Sequence, residues 1–318
     1  MFGRYLKQLR LEKGLTQKEL CIHLNLATPE LAAVDAVTVS RWERETTTPH
    51  PVRAIKILRV LTNDLMPYLS HLKWIEEEEI LNRVVYERFY STQATIRSAS
   101  YSKADTTPLP TIIEKTINPD TDRPLFESIL HFLRTSQTGY PGLETLNLSQ
   151  LYREKKLLLN VYVDTQSLEM VGHNLAVFFD CDDLDTRAIG PYHSLPFNKL
   201  KPYTRNSALA ICSLSRFASS EAVFNVVHSH FVRFIATHAN IHFYYHYLNS
   251  ALFLDYLVGI GAEKVGYDTP DPYGAVKIGN RTFRNGLLRI ESAVILSRPE
   301  IVRLLNKSQI NDRAETNE

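Results

Sequence analysis

A chain of 318 residues has room for two domains of ordinary size, and at 44% hydrophobic residues each can bury a core, which excludes wholesale disorder. The net charge of +1 excludes a general basic field, so any affinity for nucleic acid must come from a few placed cations. Cys21, Cys181 and Cys212 are an odd, widely spaced set with no CxxC pair, which argues against a disulfide framework or a zinc site. There is no leader-like segment and no apolar run near the ~20 residues that span a bilayer, so a cytoplasmic protein without membrane contact is expected.

In chain order, Tyr5, Leu6, Leu9 and Leu11 mark an amphipathic first helix that stops at Gly14. Thr16 and Glu19 are spaced as a capping box for a second helix, with Gln17 in its first turn and Leu20 and Leu24 facing inward. A stretch from Leu26 to Val34 follows. Asp35 is then placed to cap a helix from Ala36 to about Arg44, with Val39 and Trp42 on its buried side. Pro49 and Pro51 enforce a stop, and Val52 to Leu61 reads as a further helix packing through Ile55, Leu58 and Leu61.

Gly14-Leu15-Thr16-Gln17-Lys18-Glu19-Leu20, followed by Thr38-Val39-Ser40-Arg41-Trp42-Glu43-Arg44 and Pro49, resembles the Cro/repressor-like (XRE) helix-turn-helix family over roughly residues 2–70. About eight residues around 26–34 exceed the family's usual turn, so they must bulge outward or extend the second helix. Glu45 stands where the family has glycine, at a position that often needs a left-handed backbone. The resemblance implies binding to double-stranded DNA. Val37, Thr38 and Arg41 would then reach base edges, while Gln17, Ser40 and Arg44 would contact phosphate. Residues 1–72 carry ten Lys/Arg against seven Asp/Glu, too small an excess to act without placement and a homodimer. Glu43 is expected to pair with an arginine such as Arg10.

Trp74 to about Tyr90 has Glu76 to Glu79 in its first turn and Ile80, Leu81, Val84, Val85 and Phe89 at helical spacing. Residues 91–124 are rich in Ser, Thr and Pro and read as a mobile linker, completing a connector over 73–124.

From Leu125 the expected elements are a helix at Phe126–Leu133, a strand at Leu157–Val163 and its hairpin partner at Gly172–Phe179. They continue with a strand at Ala208–Leu214, a long helix at Ser220–Thr237, a strand at Ile241–Leu248 and a helix at Ser250–Val258. Asn249, Ala251, Leu252, Phe253, Tyr256, Leu257, Gly261 and Gly266 match the pattern that closes the GNAT acetyltransferase fold. Ser213 to Ala218 is similar to the "E-x-S-R-F-A" segment of the acyl-homoserine-lactone synthases, a branch of that fold. That resemblance implies an α/β domain over 125–305 and an acyl-CoA-binding region, with a tail at 306–318. Phe217 to Ala222 has no glycine where the family cradles pyrophosphate, and Ser213 replaces the synthase glutamate.

The multidomain reading is therefore an all-α helix-turn-helix domain followed by a GNAT-like α/β domain without the usual catalytic signature. The second domain would sense a small-molecule effector or mediate dimerisation. A pocket for an acylated or hydrophobic molecule would be walled by Leu214, Arg216, Phe217 and Tyr256, with no resident cofactor other than an acyl-CoA or acylated ligand. The alternatives are an acyl-CoA-dependent acyltransferase with an attached DNA-binding domain, or a partner-protein-binding module. His228, His230, His238, His242 and His246 crowd together without a metal-ligand pattern. Asp180, Asp182, Asp183 and Asp185 read as a solvated turn rather than a cation site.

Overall fold

The computed structural model describes residues 1–72, 79–91, 112–136, 143, 146–181, 195–248 and 250–305. The N-terminal part is helical: α1 (Phe2–Glu12), α2 (Gln17–Ala27), α3 (Ala36–Glu43), α4 (Pro51–Leu61) and the short α5 (Met66–Leu69). Phe2, Leu6 and Leu9 bury one side of α1, and the chain then turns at Gly14, whose φ of +67° is left-handed. Thr16 and Glu19 close the expected capping box: the Glu19 N–H donates to Thr16 Oγ1 at 3.2 Å, and the Thr16 N–H donates to Glu19 Oε2 at 2.7 Å. Asp35 caps α3 by accepting the Thr38 N–H at 2.7 Å.

The stretch from 26 to 34 does not bulge away. It runs to the end of α2, makes one 3-10 turn at Pro29–Leu31, and buries Leu31 and Val34 in the core. Its polar side is used as well, since Lys56 on α4 donates to Glu30 at 2.7 Å. Glu45 does take the left-handed conformation, at φ +58°, with its carboxylate 3.3 Å from Arg4 Nε.

Helix α6 (Glu79–Phe89) follows. A seven-stranded sheet comes next, in the order β1-β2-β3-β4-β5-β9-β6. Its strands are β1 (Ile112–Thr116), β2 (Leu157–Asp164), β3 (Met170–Asp180), β4 (Leu209–Ala218), β5 (Ile241–Leu248), β6 (Glu263–Tyr267) and β9 (Gly286–Glu291). β7 (Val276–Ile278) and β8 (Arg281–Phe283) form a separate hairpin. Helices α7 (Arg123–Ser136), α8 (Leu148–Arg153), α9 (Glu221–Thr237), α10 (Ala251–Gly259) and α11 (Ser292–Leu296) complete the chain, followed by a helical segment at 299–305.

β1 corrects the linker reading, because Ile112–Thr116 pairs antiparallel with β2 from Ile112↔Asp164 to Thr116↔Asn160. It is an edge strand with one neighbour, mostly exposed, so it lacks the apolar alternation that would announce it. The tail at 306–318 and half of the connector, residues 73–78 and 92–111, lie outside the described residues.

Side-chain alternation on β3 divides two cores. Leu175, Val177 and Phe179 face a cluster with Phe126 and Ile129 of α7, while Ala176 and Phe178 face the side covered by α9, α10 and α11. That second cluster continues without a break into Leu58, Leu65 and Leu69 of the helical part. Polar contacts cross the same junction. Arg59 on α4 donates to Ala236 O at 2.9 Å and to Ile235 O, the Leu65 N–H donates to Ala236 O at 3.0 Å, and Lys56 pairs with Glu291 at 2.8 Å. The C-terminal end of α9 is therefore capped by side chain and backbone from the helical part.

Candidate functional site

Two places bring together residues singled out in the sequence. The first is the outer face of α3. Val37, Arg41 and Arg44 are exposed, Thr38 and Ser40 half-buried, and Val39 and Trp42 buried beneath them. Among the described residues Arg41 makes no ion pair, and the Arg44 guanidinium donates to Ser40 O at 3.2 Å. Under this face Arg10 grips Glu43 through two bonds of 2.6 and 3.0 Å, and also donates to Leu15 O at 2.6 Å. The Arg10 and Glu43 side chains are 9% and 4% exposed, so the pair ties α1, α3 and the start of α2 together out of water. Burial raises the Glu43 pKa, but the hydrogen bonds from Arg10 and Gln17 outweigh it and hold the carboxyl below the ordinary range.

The Gln17 amide nitrogen donates to Glu43 at 2.9 Å, which helps to orient α3.

The second place lies where β4 and β5 part. They are the only parallel neighbours among the described strands, joined from Leu209↔Ile241 to Ser213↔His246. Beyond that, β4 runs on to Ala218 and β5 to Leu248 without pairing to each other. A cavity of about 60 Å³ opens beside the parting, with Arg216, His228, Phe231, Tyr244, Phe253 and Tyr256 in its wall.

Of the four residues expected to line a pocket, Arg216 and Tyr256 do so, whereas Leu214 and Phe217 are corrected to the opposite face of the sheet. Leu214 packs in the cluster beneath α7, and Phe217 lies 4.7 Å from Phe132 of that helix. The reason is a β-bulge. Leu175 pairs with Ser215 but Ala176 with Ser213, so β4 carries an extra residue at Leu214. Ser215 then joins Leu214 on the α7 side, where its hydroxyl meets His173 Nε2 at 2.8 Å, and alternation resumes with opposite parity from Arg216. Without the bulge Arg216 would point away from the cavity.

The guanidinium of Arg216 sits 4.1 Å from the Phe231 ring centroid and 5.4 Å from that of Tyr244, and its Nε donates to Asn174 Oδ1 at 3.1 Å. Among the described residues its buried Nη2 makes no hydrogen bond of ordinary geometry, nor do Tyr244 Oη, Ser213 Oγ and His246 Nδ1, although Tyr244 lies close to both Arg216 and Ser213. Burial raises the Tyr244 pKa, and nearby Arg216 and Ser213 oppose that rise. Burial, reinforced by Arg216 and Arg88, lowers the His246 pKa to about 3, and the same causes push His228 well below its usual value. Both imidazoles are neutral at pH 7.

Two carboxylates are held by hydrogen bonds, Glu300 by a hydroxyl of the cavity wall itself. Glu114 accepts from Asn160 at 2.6 Å and Tyr162 Oη at 2.9 Å and lies 3.0 Å from His230, and Glu300 accepts from Tyr256 Oη at 3.0 Å.

The start of α9, where the GNAT resemblance would put a pyrophosphate, is occupied by the chain itself. The Ser219 N–H donates to Val171 O at 3.0 Å and the Val223 N–H to Ser220 Oγ at 3.3 Å. Glu221 puts a carboxylate in the first turn and accepts from Tyr90 Oη at 2.8 Å. From α6, Phe89 packs on Phe224 at 5.9 Å, and Val85 joins the cluster with Ala218, Val223 and Val227.

Among the described residues no group of three or more His, Cys, Asp or Glu side chains could hold a metal. His228 and His238 point their Nδ1 atoms at the carbonyls of Phe224 and Phe234 on their own helix. Asp182, Asp183, Asp185 and Asn249 lie outside the described residues.

No family model and no curated protein matches this chain. Among solved structures it is similar to FeeM, an N-acyl amino acid synthase from uncultured soil microbes, at 8% identity and a TM-score of 0.36 over 64% of this chain and 99% of that one. It is similar to a ribosomal-protein-S5-alanine acetyltransferase from Vibrio fischeri at 10% identity and a TM-score of 0.34, over 59% and 97%. A spermidine N-acetyltransferase from Vibrio cholerae, in complex with CoA and spermine, gives 11% identity and a TM-score of 0.32, over 57% and 96%. No helix among the described residues is long and apolar enough to cross a membrane.

Proposed function

We propose that the chain is a DNA-binding regulator: α3 reads DNA, and the GNAT-like α/β part senses a small molecule in the Arg216 cavity. The observation that carries this reading is that the helices lining the cavity are also the ones that hold the helical part. α9 contributes His228 and Phe231 to the cavity and offers its last carbonyls to Arg59 and Leu65. α11 contributes Ile295 and packs against α4, and Ile290 of the cavity wall precedes Glu291, the partner of Lys56. A ligand that favours one packing of α9 and α11 biases the seat of α4, and α4 supports α3. It does so only to the extent that it binds the two packings with different affinity.

On α3, Arg41 has the reach and free donors for a bidentate contact to guanine, and Arg44 the position for phosphate. Reading a two-fold operator would take a second copy of the chain. The test is fluorescence anisotropy against selected DNA at several salt concentrations. Arg41→Ala is expected to flatten the preference among sequences, each discriminated base pair losing about 1–3 kcal/mol, while Arg44→Ala weakens every sequence and lowers the salt slope by about one. Arg41→Ala with affinity and preference both intact would sink the assignment of α3.

Acyl-CoA-dependent acyl transfer is the second reading, favoured by the parting of β4 and β5 beside the cavity and the bulge at Leu214. The occupied start of α9 weighs against it: the Ser219 and Val223 amides are bonded, a carboxylate sits there, and α6 packs on it. Acyl-CoA binding with product formation, in the absence of sequence preference on DNA, would exchange the two readings.

A further inference from the structure

We infer that the cavity is a site for a short-chain monocarboxylate of about four to six non-hydrogen atoms, its carboxylate taken by the Arg216 guanidinium. This deepens the effector reading above and rests on it. The charge comes from Arg216, whose buried Nη2 makes no hydrogen bond among the described residues while its Nε is committed to Asn174. A buried donor left unsatisfied on a permanent cation is costly, and an anion placed there removes that cost. Tyr244 Oη, beside Arg216 and Ser213, supplies a second donor in the same wall.

The rest of the wall decides what kind of anion fits. Phe231, Phe253, Leu257 and Ile295 are apolar and His228 is neutral, so Arg216 is the one charged side chain of the described wall, beside the Tyr244 and Tyr256 hydroxyls. A dianionic phosphate would enter with most of its oxygens unsolvated, whereas a monocarboxylate matches the fork of one guanidinium and gives the apolar wall an alkyl tail. Size sets the tail. The cavity of about 60 Å³ is well under the roughly 150 Å³ that holds a benzene ring, so it takes the carboxylate and first carbons of a short acid such as propionate or butyrate.

The experiment is isothermal titration of the full chain with sodium butyrate, butyramide, octanoate and inorganic phosphate at pH 7. Butyrate is expected to saturate with one site, and butyramide, the same shape without charge, to bind at least about tenfold more weakly. Arg216→Gln should abolish the difference between acid and amide, and the comparison of the two ligands on the unaltered chain stands even where that variant fails to fold. Equal binding of butyramide and butyrate overturns the anion assignment and leaves the effector cavity standing. Tighter binding of octanoate than butyrate overturns the size assignment, and tighter binding of phosphate overturns the carboxylate. If none of the four binds, the effector cavity falls with this proposal, while DNA recognition by α3 is judged by its own assay.

Discussion

Gly3 shows how far a single residue's role can depart from its propensity. A glycine in the first turn of a helix is normally worth replacing by alanine, for a gain of about 1 kcal/mol in an exposed helix. Here a Cβ on Gly3 would come within 1.9 Å of Trp42 O, a backbone atom at the end of α3 that cannot swing aside. Gly3→Ala is therefore expected to destabilise the helical part and lower its midpoint in a urea titration. A rise would show that α1 and α3 are not in contact at this point. Arg10 and Glu43 make a second case, since removing one partner leaves a charge buried and alone. Glu43→Ala should cost about 3–5 kcal/mol, far beyond a surface ion pair, and unfolding monitored by the Trp42 fluorescence reads it directly. This pair and Trp42 in the core were legible through the resemblance to the helix-turn-helix pattern, whereas the left-handed Glu45 was legible only as a question, since the helix could also have ended differently there. For Gln17, nothing in the spacing showed that its amide would donate to Glu43.

Among elements, legibility follows whether the signal is local. The caps at Thr16 and Asp35 and the apolar runs of β2, β5 and α9 could be placed from sequence to within a few residues, since cap spacing and apolar periodicity are read within one turn or one strand. β1 could not, as its order comes from pairing with β2 44 to 52 positions away. The bulge at Leu214 was equally hidden, and with it the side of the sheet to which each candidate ligand residue points. The course of α6 was half legible: its amphipathic face was plain, but its seat on the start of α9 was not. The joint between α4 and α9 yields a prediction at this scale. Arg59 is held among carbonyls that include Asn63 O at 2.7 Å, and burial lowers its pKa to about 10, so it is still charged at neutral pH. Arg59→Met should leave both parts folded while exposing the last carbonyls of α9. Hydrogen exchange is then expected to quicken in the last turn of α9, and the effect of a cavity ligand on DNA affinity to shrink. An unchanged ligand effect would show that α9 is not the route between the sites.

At the scale of the whole molecule, the buried histidines set the response to acid. His173 is fully buried and its pKa falls to about 4, through burial; His246 falls to about 3, through burial and then the charges of Arg216 and Arg88. In the unfolded chain both return to about 6.5. The unfolded state thus binds more protons than the folded one between those values, so stability is fully present above pH 6.5 and is lost as the pH falls. Each such histidine contributes a slope of about 1.4 kcal/mol per pH unit once the unfolded form is protonated, and His228 acts in the same direction. The depressed carboxylates, Glu43 and Glu114 among them, act only below the ordinary carboxylate range, so they leave the interval from pH 6.5 to 5 to the histidines. Because one apolar cluster joins the helical part to the α9 face of the sheet, the loss should appear as a single cooperative transition rather than as the sheet failing alone. Urea unfolding at pH 7 and pH 5 should differ by at least about 3 kcal/mol, with His173→Gln recovering part of the difference. A stability that stays flat over that interval would mean that these imidazoles reach water, and that the Arg216 cavity is far wetter than its apolar wall implies.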